Sequence, residues 1–303
     1  MTDWWWRALA AVLVWPGLLG SAFLGWFLMW MTRKVIARLQ GRMGPPFYQP
    51  FFDFWKLLGK QTILPRGVNP LLFYALPVIS VVSMAFALAL LPAPGTPMRS
   101  FQGDLILLLY LLEMPALVDV LAGFVTRSIY SQIGSTREAL LSLGYNLPFI
   151  TALIALAVQV GSFRLDDIAA APIGPVQVLA ALALLLVVPA RLKVNPFSIP
   201  NAEQEIVGGV HLEYNGLPLA LFELAHTLEI VALTGLMAII FLGPLNAVWL
   251  RWLVYLLIGV VVVWLTCLAS AGTARLKVQH AFRFFWTWGA LTAVLAVAAA
   301  LVF

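Results

Sequence analysis

The sequence predicts an all-α integral membrane protein with eight transmembrane helices and an amphipathic interfacial helix in the first cytoplasmic loop. Three observations predict it. Of 303 residues, 62% are hydrophobic and 10% charged, against roughly 25% charged in a soluble domain. Apolar stretches near the ~20 residues that cross a hydrocarbon core recur along the whole chain. Lys and Arg, moreover, concentrate in alternate loops. This composition excludes a soluble enzyme, a disordered chain and a disulfide-stapled secreted module.

The apolar stretches fall near 4–31, 70–92, 104–126, 139–162, 174–190, 217–242, 248–272 and 284–303. The fifth is short and closes at Pro189; the others are long enough to tilt. Met1-Thr2-Asp3 runs directly into Trp4-Trp5-Trp6, which reads as an aromatic anchor opening a full span rather than as a cleavable signal. No internal repeat, low-complexity tract or linker is visible, so residues 1–303 read as one polytopic domain.

Fourteen of the eighteen basic residues sit in odd-numbered loops: Arg33, Lys34, Arg38, Arg42, Lys56, Lys60 and Arg66, then Arg127 and Arg137, Arg191 and Lys193, and Arg275, Lys277 and Arg283. Arg7, Arg99, Arg164 and Arg251 lie opposite. This bias places the odd loops in the cytoplasm and both termini on the outer side. It also accounts for the net charge of +5 without invoking nucleic acid. The outer connections are short turns such as Pro94-Gly95-Thr96-Pro97, whereas the first and third cytoplasmic loops are long and read as a docking surface. Cys267 is the only cysteine, and His211, His226 and His280 are scattered. Neither a cluster nor a metal site can be assembled from them, so any redox centre belongs to a partner.

In the first loop, Gln49, Asp53, Lys56 and Lys60 recur at i, i+4, i+7 and i+11, with Phe51, Phe52, Phe54, Trp55, Leu57 and Leu58 opposite. This pattern describes an amphipathic helix in the membrane plane. It serves either as a lipid anchor or as a lid over an entrance. In the third loop, Glu203, Glu205 and Glu213 have no basic residue between Lys193 and Arg251. That spacing predicts a negative patch, or simply a solvated acidic loop.

Ionisable groups inside spans are functional candidates by default. Span three holds Glu113 and Asp119, and Glu138 stands at the entrance of span four. Span six holds Glu223, His226 and Glu229, which share a 120° arc and climb ~4.5 Å per step. Burial favours the neutral form of a carboxyl group and brings proton exchange toward neutral pH. The stripe therefore reads as a proton relay, with a static mutually satisfied network as the alternative. Asp166 and Asp167, in an outer loop, read as solvated.

At these residues the sequence resembles a known family. Asn195-Pro196-Phe197-Ser198-Ile199-Pro200-Asn201-Ala202-Glu203-Gln204-Glu205-Ile206-Val207-Gly208-Gly209, followed by Glu213-Tyr214-Asn215-Gly216, is similar to the signature loop of the complex I subunit 1 family, found at the membrane foot of NADH:quinone oxidoreductase. That family also has members in membrane-bound NiFe hydrogenases such as formate hydrogenlyase. Arg42-Met43-Gly44-Pro45, Gln49-Pro50 and Asp53 through Lys60-Gln61 look like its first-loop motif. Gly134-Ser135-Thr136-Arg137-Glu138-Ala139 and Tyr145-Asn146-Leu147-Pro148 look like the start of its fourth span. Only Pro46, Phe47 and Tyr48 separate Pro45 from Gln49, as in hydrogenase-type members; quinone-reducing members have a longer insertion there. Ser198, Asn201, Asn146 and His226 replace acids usual in the family, which thins its acidic path, and Glu223 is a substitute one turn earlier.

The resemblance implies a membrane anchor and coupling subunit in a prokaryotic inner membrane, carrying no cofactor of its own. The NiFe site and iron–sulfur clusters would lie in docked cytoplasmic large and small subunits and iron–sulfur proteins. Antiporter-like membrane subunits would move protons or sodium. Glu113, Asp119, Glu138, Glu203, Glu205, Glu213, Glu223, His226 and Glu229 would carry the coupling. Arg38, Arg42, Gln49, Asp53, Lys56 and Lys60 would dock a partner or border a quinone-like cavity. The rival functions are a quinone-binding subunit of a complex I-like dehydrogenase, a stand-alone secondary transporter and a purely structural anchor.

Overall fold

A computed structural model describes residues 4–94, 100–243, 245 and 247–302. The outer turn at Gly95-Thr96-Pro97 with Arg99, the first three residues, and the side chains of Trp4, Trp5 and Arg7 lie outside the described residues. Among those described, every regular element is helical: α1 (Trp4–Leu13), α2 (Leu18–Leu39), α3 (Gln49–Leu58), α4 (Pro70–Leu90), α5 (Asp104–Val125), α6 (Ile129–Val160), α7 (Leu165–Ala170), α8 (Pro175–Arg191), α9 (Glu203–Ile206), α10 (Gly216–Leu242), α11 (Val248–Gly272), α12 (Val278–Phe284) and α13 (Ala290–Val302). A 3-10 turn spans Gly209–His211, and a π segment, Phe285–Gly289, joins α12 to α13.

Seven stretches among the described residues are long and apolar enough to cross a membrane, and the 17-residue α8 falls just short of that length. Three predicted boundaries change. The first stretch is not one helix from residue 4, because Pro16 has no N–H to donate and its ring crowds the preceding turn. The chain breaks between α1 and α2, and Ser21 Oγ donates to the freed Pro16 carbonyl. Consequently α2 runs on to Leu39 and carries Arg33, Lys34 and Arg38, which the sequence placed in a loop. Similarly, α6 begins at Ile129 rather than near 139, since its polar first turns are covered by the third loop. The last span starts at Val278 rather than near 284. Asp166 and Asp167 open the short helix α7 and close the outer loop: Ser162 Oγ donates to Asp167 (2.6 Å) and the Ser100 N–H to Asp166 (3.3 Å).

The centre of the bundle is α10, buried on nearly all sides by α2, α4, α8 and α11. Helices in lipid gain little from hiding apolar surface, so close backbone approach and dispersion must hold them. At the α5–α6 crossing, a Cβ on Gly123 would stand 2.5 Å from the Ser131 carbonyl oxygen. One on Gly134 would stand 2.8 Å from the Val210 amide nitrogen. These two glycines let α6 seat against α5 on one side and the third loop on the other.

Helix α8 runs antiparallel to α6. Near its start Gln177 exchanges amide hydrogen bonds with Gln159 (2.7 and 3.4 Å), while at its end the Arg191 guanidinium lies 5.5 Å from the Tyr145 ring centre. Both helices advance fourteen residues between these contacts, about 21 Å at 1.5 Å per residue. Because α8 then stops, the chain after it begins deep inside the bundle.

Candidate functional site

The third loop is therefore not the free, solvated surface the sequence suggested. Phe197, Ile199, Ala202, Val210 and Tyr214 are all buried. Phe197 packs 4.8 Å from Phe285, and Tyr214 stacks on Phe73 at 4.4 Å. Only a rim including Glu203, Gln204 and Glu205 reaches solvent. Of the predicted negative patch, Glu205 alone is paired: Arg137 Nη1 and Arg275 Nη1 approach its opposite oxygens at 2.6 and 3.6 Å.

Beneath this loop lies a buried ionic cluster with two lobes. In the first, Arg191 Nη1 donates to Glu113 Oε1 (2.5 Å), Nη2 donates to the Leu112 carbonyl, and Nε lies 3.8 Å from Glu229. The guanidinium also sits 4.4 Å over the Phe149 ring, a contact strengthened when water is absent. Asn146 Nδ2 donates to the other Glu113 oxygen at 2.8 Å. In the second lobe, Lys193 Nζ donates to Asp119 Oδ2 and lies 3.9 Å from Glu138. His211 Nε2 meets the other Asp119 oxygen at 3.1 Å. His226 Nδ1, 3.9 Å from Glu229, stands at the edge between the lobes.

Each member is placed by its local sequence. Pro115 interrupts the backbone ladder of α5 between Glu113 and Asp119. The end of α8 delivers Arg191, and Lys193 follows two residues later with φ of 52°. Four carboxylates (Glu113, Asp119, Glu138 and Glu229) thus face two permanent cations, with two histidines at the margin. Such a set cannot be fully ionised at low cost in a dry interior.

A cavity of about 260 Å³ reaches this cluster, and a second of about 260 Å³ lies beside the first. One is bordered by Asp119, Lys193, His211, Glu223, His226 and Glu229. The other lies under α3 and is bordered by Trp26, Arg33, Asp53, Lys56, Lys60 and Glu223. Met29 and Glu223 line both and separate them. The polar side of α3 faces this second cavity, with Asp53 paired to Arg33 at 2.9 Å and accepting from Gln49 at 2.8 Å. Its rings divide: Phe51 and Phe54 pack on Trp26, while Phe52 and Trp55 remain exposed.

Of the predicted coupling residues, Glu113, Asp119, Glu138, Glu229 and His226 come together, and Glu223 joins them through the cavities. Glu203 is exposed on the rim, Glu205 is engaged there, and Glu213 is half-buried with no ion pair among the described residues. Arg38 and Arg42 are exposed and border neither cavity. Sequence reasoning missed Arg191 and Lys193 as site residues, because it assigned them to topology. It also passed over His211 and Asn146 as members. The available signal was an arginine closing an uninterrupted apolar helix, which is as costly in hydrocarbon as an acid.

Glu205, outside the spans, has a pKa held below its ordinary value of 4.5 by the hydrogen bond from Arg137, with Arg275 adding to it. A lowered folded-state pKa means the pair stabilises the fold above the ordinary value and is lost only as pH falls through the lowered one. Isotope-edited infrared spectroscopy should therefore find Glu205 still mostly ionised at pH 4.5, and the Arg137→Gln variant should bring its titration back toward that value.

Residues 11–301 match the NADH dehydrogenase family. "NADH-quinone oxidoreductase subunit 8" of Thermus thermophilus is 36% identical over 267 residues, covering 79% of this chain and 70% of its own. The protein of the same name from Rhodothermus marinus is 31% identical over 262 residues, covering 78% of this chain and 74% of its own. A solved chain of an archaeal respiratory membrane complex, the membrane-bound sulfane sulfur reductase, superposes with a TM-score of 0.85 at 29% identity, covering 98% of this chain and 99% of that one. The chain is thus a multi-pass membrane protein of the NADH dehydrogenase family, related to a membrane component of NADH-quinone oxidoreductase.

Proposed function

We propose that the chain is the membrane anchor and coupling subunit of a hydrogenase-type respiratory oxidoreductase complex, linking electron transfer in a docked cytoplasmic arm to proton or sodium translocation. The observation that carries it is the buried cluster of four carboxylates and two cations, reached by one cavity that shares Glu223 with a second under α3. Redox turnover in the arm alters the charge or position of groups beneath the third loop. The cluster passes that change to antiporter-like membrane subunits. The redox centres belong to partners, since the chain's single thiol, buried Cys267, cannot ligate a cluster. Two features favour the hydrogenase-type branch: the three residues between Pro45 and Gln49, and a superposition that covers 98% of this chain and 99% of the sulfane sulfur reductase chain.

In this arrangement α8 makes the eighth crossing, consistent with its antiparallel run along α6. Its 17 residues, about 26 Å long, cross because the Arg191 end stays buried in protein. Helix α3 lies at the cytoplasmic interface as a lid over the cavity, and both termini face outward.

In inverted membrane vesicles, Glu223→Gln should lower ion pumping about tenfold or more while electron transfer stays within about twofold, since this reading puts the redox groups on partner subunits. Equal loss of both activities, or of neither, refutes the assignment. A second reading, a quinone-binding subunit, is favoured by the aromatic-bordered cavity under α3 and by the relatives' names. Tightly bound quinone in the purified complex would select it. Transport by this chain alone in liposomes would instead select a secondary transporter.

A further inference from the structure

A third cavity lies on the third-loop side of the molecule, apart from the buried cluster. It measures about 580 Å³ and is bordered by Arg137, Asn195, Gln204, Glu205, Arg275 and Lys277, within the size range of pockets that engulf a ligand. Its walls come from α6, the third loop and the segment joining α11 to α12. They are tied together: the Leu276 N–H donates to the Pro196 carbonyl at 2.9 Å, Arg275 Nε to Ser198 Oγ at 3.1 Å, and Arg137 Nη1 to the Ile199 carbonyl at 3.4 Å.

Three cations face one carboxylate here. Arg137 and Arg275 close on the two oxygens of Glu205 like a clamp, although Glu205 is itself half exposed. Lys277 is exposed and forms no ion pair among the described residues. The walls thus already bind a carboxylate supplied by the chain itself, and they retain positive charge in excess of it.

We infer that this cavity is a socket for an acidic segment of the docked soluble arm, whose carboxylates engage Lys277 and compete with Glu205 for the two arginines. The inference rests on the functional reading above, which supplies the arm. The geometry favours a carboxylate-bearing chain over a lipid headgroup. The bound group on view is a carboxylate, and no aromatic side chain borders the cavity, unlike the belt on α3. Opposed charges at an interface rim chiefly set approach, register and salt sensitivity.

The test uses the intact complex in detergent, measuring how fast soluble subunits leave the membrane subunits as salt is raised. Lys277→Glu should speed their loss about tenfold, and Glu205→Gln, which removes the internal competitor, should slow it. The two opposite signs distinguish a socket from a structural latch. Retention unchanged by Lys277→Glu overturns the socket, as does faster loss from Glu205→Gln. Loss of bound anionic phospholipid from Lys277→Glu with the arm retained overturns it in favour of a headgroup site. A wild-type preparation with no soluble subunit at all overturns the functional reading, and the socket with it.

Discussion

Replacing Arg191 by methionine is expected to destabilise the protein by about 3–5 kcal/mol, seen as a fall of several degrees in its melting temperature in detergent. The side chain is fully buried and serves two carboxylates, one backbone carbonyl and two aromatic rings. Methionine keeps most of its length and apolar contact, so little of the cost is a cavity. What remains is Glu229, 6% exposed, and Glu113, its oxygen no longer met by a guanidinium. Removing one partner of a buried pair leaves the other desolvated, whereas removing both can be almost neutral. The double variant Arg191→Met with Glu113→Gln should therefore recover part of the loss, since the new glutamine amide keeps the Asn146 contact without a charge. If the double variant melts no higher than the single one, Arg191 acts mainly through packing on Tyr145 and Phe149.

The same residue shows where the sequence stopped being legible. Apolar length found the seven stretches long enough to cross and the shorter α8, because hydrocarbon thickness is a constraint each stretch meets alone. The helix break at Pro16-Gly17 escaped the sequence reading because apolar residues continue on both sides of it. Basic residues were read by loop, a rule that treats them as independent of one another. Arg191 and Lys193 satisfy that rule and also pair with acids from α5, α6 and α10, which is a tertiary fact. Glu113 and Asp119 were recognised as costly, but their partners lie more than seventy residues away. The third loop misled for a related reason. Its carboxylates are conspicuous, whereas Phe197 and Tyr214 show only once folded that they seat it against Phe285 and Phe73, with Ile199 and Val210 buried beside them. The stripe on α10 was legible because helical periodicity is local: Glu223, His226 and Glu229 run from exposed to buried as the 120° arc requires.

Lys193→Met should have the larger effect on function and the smaller one on stability. Lys193 occupies a left-handed backbone conformation, φ 52°, just past the end of α8, where glycine is the usual residue and a side chain costs roughly 1–2 kcal/mol. That strain is offset by the ammonium it delivers to Asp119 and toward Glu138. Glycine at this position would relieve the backbone but remove the amine, so Lys193→Gly and Lys193→Met separate the two contributions. Both should lower ion pumping in vesicles on the order of 10²-fold, because the lobe loses the one permanent cation shared by two carboxylates. Electron transfer should persist in both. Neither should melt as low as Arg191→Met, because Asp119 keeps the His211 contact at 3.1 Å and Lys193, unlike Arg191, packs on no aromatic ring among the described contacts. Lys193→Gly should melt above Lys193→Met by about the strain relieved. Pumping that falls only with stability, in the order of the melting temperatures, would make Lys193 a structural residue. Pumping lost equally in both variants, despite their different stabilities, assigns it to the coupling path.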